Sequence, residues 1–310
     1  LSTIYNAVRM VYEEITEEKL NYFLVELNSL GKVVIEDNKF MLSEYYKNEH
    51  YVASIIYDLS NKKDTDIKDI DIKIERLENF FDITYNEEQK KAIKQALIKN
   101  FSIITGGPGT GKTTIIKGIT QGYKMISGYS FDKLKERMVL LAPTGRAAKR
   151  MSESTEREEK TIHRLLEMGV SDEENSFFCK GESEPLEADV IIIDEASMID
   201  IMLMNSLLKA IKLGTRVIIV GDVDQLPSVG PGNVLRDLIN SKFINVVRLK
   251  EIFRQGKESM IIVNAHKINN GEMPYLNKKG GDFFFDARDE VENILSTILD
   301  LVNRRLPSFN

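Results

Sequence analysis

Residues 106–113 read Gly-Gly-Pro-Gly-Thr-Gly-Lys-Thr and directly follow the apolar segment 101–105. The pattern G-x-x-x-x-G-K-[ST] between a buried strand and a helix surrounds phosphate oxygens with backbone N–H groups. We expect Lys112 to reach the β- and γ-phosphates of ATP, and the Thr113 hydroxyl to bind Mg²⁺. The predicted nucleotide contacts in this segment are Gly107, Pro108, Gly109, Thr110, Gly111, Lys112, Thr113 and Thr114. The chain is therefore predicted to bind a nucleoside triphosphate together with Mg²⁺.

Two carboxylates, Asp194 and Glu195, follow a second apolar segment at residues 190–193. The carboxyl ends of parallel strands carry the ligand site in sheets of this kind, so the pair is expected beside the phosphates. Asp194 is predicted to hold the Mg²⁺ shell, and Glu195 is predicted to act as the general base for water. Gln225 follows the next apolar segment and is the candidate sensor of the γ-phosphate. Arg254 is predicted to contact that phosphate, so the predicted catalytic residues are Lys112, Asp194, Glu195, Gln225 and Arg254.

Short apolar segments alternate with helical stretches from residue 84 onward. They lie at residues 101–105, 138–142, 190–193, 216–220 and 245–249. This alternation predicts an α/β fold in which a parallel sheet carries helices on both faces. We assign residues 84–310 to this domain.

Residues 1–60 are predicted to form a small module that precedes this domain. Helical spacing of leucines is followed by a hairpin pattern around Asp37 and Asn38, an order typical of a winged helix. DNA readout and a scaffolding or partner-contact role are both open, since its second helix is mainly acidic. The charged residues 61–83 are interpreted as a linker.

Gln89 has two interpretations. It lies three residues after Asn86 at the start of a predicted helix, so the two residues can form a capping box. The Gln89 amide can equally read the edge of an adenine base.

Composition limits the partners and the compartment. The net charge is −6, so bulk charge gives no support to nucleic-acid binding. Residues 132–150 nevertheless hold six Lys or Arg against two acids, which predicts a local basic patch for a DNA backbone. The single cysteine excludes an internal disulfide framework and favours a reducing cytoplasm, and no apolar run is long enough for a membrane helix.

Taken in order, these motifs resemble those of superfamily 1 helicases of the RecD type. The resemblance covers residues 84–275. Its motifs are Asn86-x-x-Gln89, the loop 106–114, 142–151, 161–166, Asp194 to Met198, 221–232, and Phe253-Arg254-Gln255. The first of these departs from the family by having Asn86 where Ser or Thr is usual.

The resemblance implies a RecA-like P-loop NTPase domain that uses ATP to move 5′ to 3′ along single-stranded DNA and to unwind duplex DNA. It implies contacts with duplex junctions and with recombination and repair proteins. Thr144, Arg146, Thr161 and His163 fall in motifs that contact DNA in this family, although His163 can also be a packed histidine. The segment 168–188 falls where these helicases carry a strand-separating hairpin pin, and a plain surface loop is the alternative.

We expect the second RecA-like domain that the resemblance implies to lie outside these 310 residues. We therefore expect the 310-residue chain to bind ATP and Mg²⁺, to hydrolyse ATP slowly and not to unwind DNA. Two alternatives to a motor stay open: a nucleotide-dependent module that binds DNA or a partner, and a subunit of an exonuclease complex.

Overall fold

The computed structural model describes residues 2–155, 158–170, 176–251, 259–276 and 281–308. The chain divides into two compact units, Leu1–Glu251 and Ile252–Asn310. The candidate site lies in the first unit.

The first unit begins with an α+β segment. Its elements are α1 (Ser2–Arg9), α2 (Glu17–Ser29), β1 (Val33–Glu36), β2 (Lys39–Leu42) and α3 (Ser43–Ser60). Strands β1 and β2 pair antiparallel, and the residues that connect them, Asp37 and Asn38, have φ angles of 47° and 61°. Positive φ at both central residues is the turn geometry that closes a two-residue hairpin. The predicted hairpin is confirmed.

Helices and strands alternate in the rest of the first unit. The helices are α4 (Ile70–Phe81), α5 (Glu87–Ile98), α6 (Lys112–Ser127), α7 (Phe131–Arg137), α8 (Gly145–Thr155), α9 (Ile162–Leu165), α10 (Ile201–Lys209) and α11 (Val234–Asn240). The strands are β3 (Phe101–Gly106), β4 (Met138–Ala142), β5 (Glu159–Thr161), β6 (Met168–Val170), β7 (Ser176–Phe178), β8 (Val190–Ile193), β9 (Arg216–Gly221) and β10 (Val246–Leu249).

Six strands form one parallel sheet in the order β10-β3-β9-β8-β4-β5. Successive side chains of a strand point to opposite faces. Ile191 and Ile193 accordingly join one apolar core, while Val190 and Ile192 join the other. Helices α3, α10 and α11 contribute to the first core, and α4, α5 and α6 contribute to the second. The predicted fold class is confirmed.

The packing of α3 and α4 differs from the predicted division into module and linker. Val52, Ile56 and Leu59 of α3 belong to the same core as β8, so no break in the core falls at residue 60. The predicted linker contains α4, whose Ile70 and Ile74 are buried on the other face. The apolar spacing of α4 is helical, but the charges between its apolar residues concealed it. The remaining domain boundaries stay predictions.

Strands β6 and β7 pair antiparallel as a separate small hairpin, with Met168 opposite Phe178. They occupy the first part of the segment 168–188 that was predicted to hold a pin. Residues 171–175 between the two strands lie outside the described residues.

The second unit contains α12 (Met260–Asn269) and α13 (Val291–Asp300), followed by short helical turns at Leu301–Arg305 and Leu306–Ser308. The carboxylate of Asp282 accepts hydrogen bonds from the backbone N–H groups of Met260 (2.6 Å) and Ile261 (3.1 Å) at the start of α12. Throughout the described ranges, no helix combines the length and apolar character that a membrane span requires.

Candidate active site

The glycine-rich loop connects β3 to α6, as predicted. Gly109 and Gly111 have φ angles of 76° and 83°, a region that side chains other than glycine's rarely adopt. A Cβ atom at Gly106 would lie 2.7 Å from Thr110 Oγ1 and 2.8 Å from Leu249 Cβ. Thr110 Oγ1 in turn donates a hydrogen bond to the carbonyl of Gly107 (2.8 Å). The loop therefore combines positive φ angles with close contacts at Gly106, and both favour glycine.

Lys112 is the first residue of α6 and folds back over the loop. Its Nζ donates hydrogen bonds to the carbonyl oxygens of Gly106 (2.6 Å) and Gly107 (3.1 Å). Thr113 is exposed and Thr114 is half-buried in the same helical turn. The helix N-terminus and the ammonium group place positive charge at this end of the sheet, where a phosphate chain fits.

The acidic pair lies at the carboxyl end of β8. The N–H of Asp194 donates to the carbonyl of Leu141 on β4 (2.8 Å), which anchors the residue to the sheet. Glu195 has a φ of 51° and precedes the short 3₁₀ turn Ala196–Met198. This left-handed conformation costs a residue with a side chain roughly 1–2 kcal/mol, and such outliers cluster at functional sites. Glu195 Oε2 is buried and accepts no hydrogen bond from the part of the chain that the structure describes.

Gln225 lies in the segment after β9 and is held against both neighbouring strand ends. Its N–H donates to the carbonyl of Asp222 (3.2 Å), and the N–H of Val223 donates to Thr105 Oγ1 on β3 (3.2 Å). The Gln225 Oε1 atom accepts a hydrogen bond from Ser197 Oγ (3.4 Å). Because β3, β9 and β8 are adjacent in the sheet, the loop, Gln225 and the acidic pair share one edge.

The residues at this edge suit Mg²⁺ and a triphosphate. The hydroxyl of Thr113 and the carboxylate of Asp194 are the hard oxygen ligands that Mg²⁺ takes beside phosphate oxygens. In the described ranges, no three His, Cys, Asp or Glu side chains lie close enough together to bind a metal.

Gln89 forms the capping box. Its Oε1 accepts from the N–H of Asn86 (3.2 Å), Asn86 Oδ1 accepts from the N–H of Gln89 (2.8 Å), and Gln89 is buried. The adenine contact stays a prediction. A cavity of about 540 Å³ lies at this helix start, lined by Asn86, Glu87, Glu88, Lys250 and Glu251.

The four predicted DNA contacts gather at the far edge of the sheet. Ala142 at the end of β4 is the register partner of Thr161 at the end of β5, so Thr161 and Thr144, two residues beyond Ala142, lie at neighbouring strand ends. Each hydroxyl accepts a hydrogen bond from the N–H three residues later, 3.3 Å for Thr144 and 3.2 Å for Thr161. Arg146 and His163 are exposed.

The basic stretch 132–150 does not form one patch, contrary to the prediction. Lys133, Lys135 and Arg137 lie on α7 before β4, whereas Arg146 and Lys149 lie on α8 after it. Strand β4 separates the groups by about 15 Å, since a strand rises about 3.3 Å per residue. Arg137 Nη1 instead lies near carboxylate oxygens of Glu187 (3.4 Å) and Asp189 (3.7 Å).

Arg254 lies outside the described residues.

The sequence did not point to Glu159 on β5. Its side chain is buried, and neither carboxylate oxygen accepts a hydrogen bond within the described chain. Burial, together with the charge of Asp194, raises the pKa of Glu159 to about 8. The sequence did not indicate that Glu159 is buried, because Glu159 follows three other charged residues in the chain.

A parallel sheet with a phosphate loop after one central strand and an acidic pair after another defines a P-loop NTPase of the RecA-like fold. The family described as "AAA domain" matches residues 89–231. The ATP-dependent RecD2 DNA helicase of Deinococcus radiodurans is 38% identical over 189 residues, which cover 61% of this chain and 24% of that protein. The RecBCD enzyme subunit RecD of Mycolicibacterium smegmatis is 34% identical over 235 residues, which cover 69% of this chain and 41% of that protein.

Over the matched residues, the chain is similar to RecD-type DNA helicases. It spans about a quarter to two fifths of the length of these two relatives. A solved structure of the Pif1 helicase from Candida albicans is similar at 24% identity with a TM-score of 0.44, covering 62% of this chain and 45% of that one.

Proposed function

We propose that this chain supplies the first motor domain of an ATP-dependent DNA helicase that moves 5′ to 3′ on single-stranded DNA. The observation that carries the proposal is the shared edge of β3, β9 and β8, which brings together Lys112, Glu195 and Gln225. The direction of movement is supported by the resemblance alone.

The chemistry follows from the donors and acceptors at this edge. The N–H groups of the loop hold the phosphates, and Lys112 exchanges its two carbonyl partners for anionic phosphate oxygens, which form stronger charge-assisted hydrogen bonds. Thr113 and Asp194 would hold Mg²⁺, which would supply positive charge beside the phosphates.

Glu195 orients water and takes its proton as the water oxygen bonds to the γ-phosphorus. The bond from that phosphorus to the β–γ bridging oxygen breaks, and ADP leaves with the electron pair. Because Glu195 Oε2 accepts no hydrogen bond from the described chain, it has an open acceptor for that proton. Gln225 donates to the γ-phosphate. The contact between Arg254 and that phosphate stays a prediction, since Arg254 lies outside the described residues.

Single-stranded DNA is proposed to follow the ends of β4 and β5. Thr144, Arg146, Thr161 and His163 contact its backbone, and the hairpin β6–β7 stands at the duplex junction. The acidic character of residues 168–188 leaves the hairpin an apolar wedging role rather than phosphate contact. Recombination and repair proteins are the proposed partners.

Glu195→Gln tests the motor function in the purified chain and in a form extended past Asn310. We expect DNA-stimulated ATP hydrolysis to fall at least about 100-fold, the scale of removing a general base, while nucleotide affinity stays within about twofold. Glu136→Gln is the matched control, because Glu136 is exposed on α7.

Three results bear on the alternatives. Equal hydrolysis in Glu195→Gln and the unchanged chain would refute the assigned base. ATP-dependent DNA binding without hydrolysis, even in the extended form, would favour the non-motor module. Robust unwinding by the 310-residue chain would contradict the expectation that it is poorly active on its own.

A further inference from the structure

We propose that Ser197 is a positioning residue that sets the orientation of the Gln225 amide, so that its N–H₂ group faces the γ-phosphate. The inference rests on the proposed function and deepens it. Ser197 does not touch the nucleotide in this proposal; it acts through Gln225.

Ser197 lies two residues after Glu195 in the 3₁₀ turn Ala196–Met198 and is buried. Its Oγ donates to Gln225 Oε1 at 3.4 Å. The two ends of a glutamine amide are chemically opposite, one an acceptor and the other a double donor. A donor bound to the Oε1 end therefore turns the N–H₂ end away from Ser197.

The backbone around Gln225 is held at several points, which leaves its side chain as the adjustable part. The N–H of Asp224 donates to Asp222 Oδ1 (3.0 Å), and the N–H of Gln225 donates to the Asp222 carbonyl (3.2 Å). A Cβ atom at Gly221 would lie 3.1 Å from the Ala196 nitrogen and 3.3 Å from that of Ser197. The end of β9 thus packs directly on the turn that carries Ser197.

The far end of the same segment is also fixed to the region after the acidic pair. The N–H of Ile201 donates to the carbonyl of Pro231 (2.9 Å). A Cβ atom at Gly230 would overlap the carboxylate of Asp200, which itself caps α10 through the N–H of Leu203 (2.8 Å). The segment 222–231 is therefore held at one end against the turn that follows Glu195 and at the other end against the start of α10.

An anionic phosphate accepts hydrogen bonds from the N–H₂ end of an amide and repels its carbonyl end. Without the Ser197 hydroxyl, the Gln225 amide loses the hydrogen bond that holds its Oε1 end, and the orientation with the carbonyl toward the nucleotide becomes populated. With ADP bound there is no γ-phosphate, so the carbonyl orientation of the amide does not weaken nucleotide binding. Ser197 should therefore affect the preference for a triphosphate over a diphosphate rather than nucleotide affinity in general.

The test measures dissociation constants of the full chain for ADP and for AMP-PNP, both with Mg²⁺. Gln225→Ala should lower the preference for AMP-PNP by about tenfold or more, the effect of losing one hydrogen bond to a charged group. Ser197→Ala should lower it by about three- to tenfold and leave the ADP affinity unchanged. Ser197→Thr keeps the hydroxyl and should therefore keep the preference for AMP-PNP over ADP. Ser197→Cys replaces the alanine variant if that variant does not fold.

Ser206→Ala is the matched control. Its hydroxyl donates to the carbonyl of Met202 on α10 (2.9 Å), so the loss is chemically similar and lies elsewhere. The double variant Ser197→Ala with Gln225→Ala should show no loss beyond Gln225→Ala alone, because both changes remove the same contact.

The outcomes separate this inference from the function on which it rests. A normal preference in Ser197→Ala, with a lowered one in Gln225→Ala, would overturn the positioning role and leave the proposed function standing. Equal weakening of ADP and AMP-PNP binding in Ser197→Ala would show a structural role only and would also overturn it. Failure of the unchanged chain to bind either nucleotide would remove the proposed function itself.

Discussion

Replacing Glu159 by glutamine should change how the stability of the first unit depends on pH. Glu159 is buried on β5, and burial with the charge of Asp194 raises its pKa from 4.5 to about 8. Glutamine has nearly the same shape and cannot ionise. The variant therefore isolates the free energy of placing a charge at this position.

The sign follows from proton binding. Between pH 4.5 and about 8, the folded chain holds a proton on Glu159 that the unfolded chain has released. Stability falls with rising pH wherever the folded state binds more protons, so Glu159 lowers the free energy of unfolding across this window. Below pH 4.5 both states are protonated and the effect is absent, whereas above pH 8 it is complete.

The magnitude follows from the two pKa values. Each pH unit between 4.5 and about 8 is worth about 1.4 kcal/mol, which gives an upper limit of about 5 kcal/mol above pH 8. Relaxation around the charge reduces this, so we expect about 3–5 kcal/mol. That is a large share of the roughly 5–15 kcal/mol that stabilises a typical domain.

Urea unfolding at pH 5 and pH 9, without Mg²⁺, measures the effect. The difference in unfolding free energy between Glu159→Gln and the unchanged chain should grow by about 2–4 kcal/mol from pH 5 to pH 9, because slightly under 1 kcal/mol of the effect is already present at pH 5. Comparing the two pH values cancels any constant cost of the buried amide. Glu136→Gln, on the surface of α7, should show no such growth. A constant difference for Glu159→Gln would refute the inference that Glu159 is held protonated.

Two further predictions follow from the site. The logarithm of single-stranded DNA affinity should fall against the logarithm of salt concentration with a slope near −2, since about three basic residues of α8 remain at the strand ends and each contributes about −0.7. The double variant Arg146→Ala with Lys149→Ala should flatten this slope, whereas Lys133→Ala with Lys135→Ala should leave it unchanged. A slope near −4 for the unchanged chain would contradict the division of the basic patch. Gly106→Ala should lower the free energy of unfolding by about 1–3 kcal/mol in urea titrations, because its Cβ meets Leu249. Gly214→Ala is the control, since the space around Gly214 is open. Equal stability of Gly106→Ala and the unchanged chain would refute the close approach at Gly106.

Local patterns determined the parts of the site that lie within a few residues of one another. The loop at 106–113 and the acidic pair at 194–195 are readable because each needs a fixed residue order between a strand and the next element. The capping box of Asn86 and Gln89 is local too. It was one of the two interpretations of Gln89, and the structure contains it. Alternating apolar segments were likewise sufficient to predict the parallel sheet.

Other features depend on which distant residues the fold brings together. The basic stretch 132–150 looked continuous because charge was summed along the chain, yet β4 carries its halves to opposite ends of the sheet. Helix α3 showed an apolar face without indicating that this face packs against the sheet core.

By itself, the sequence of this protein determined a parallel α/β domain, with a glycine-rich loop after one strand and an acidic pair after another. Tertiary structure alone decided that Glu159 is buried near Asp194, and that Ser197 meets the amide of Gln225. The physical reason is range: hydrogen-bonded turns and strand periodicity act over a few residues, whereas burial and the orientation of a side chain depend on neighbours that are distant in the chain.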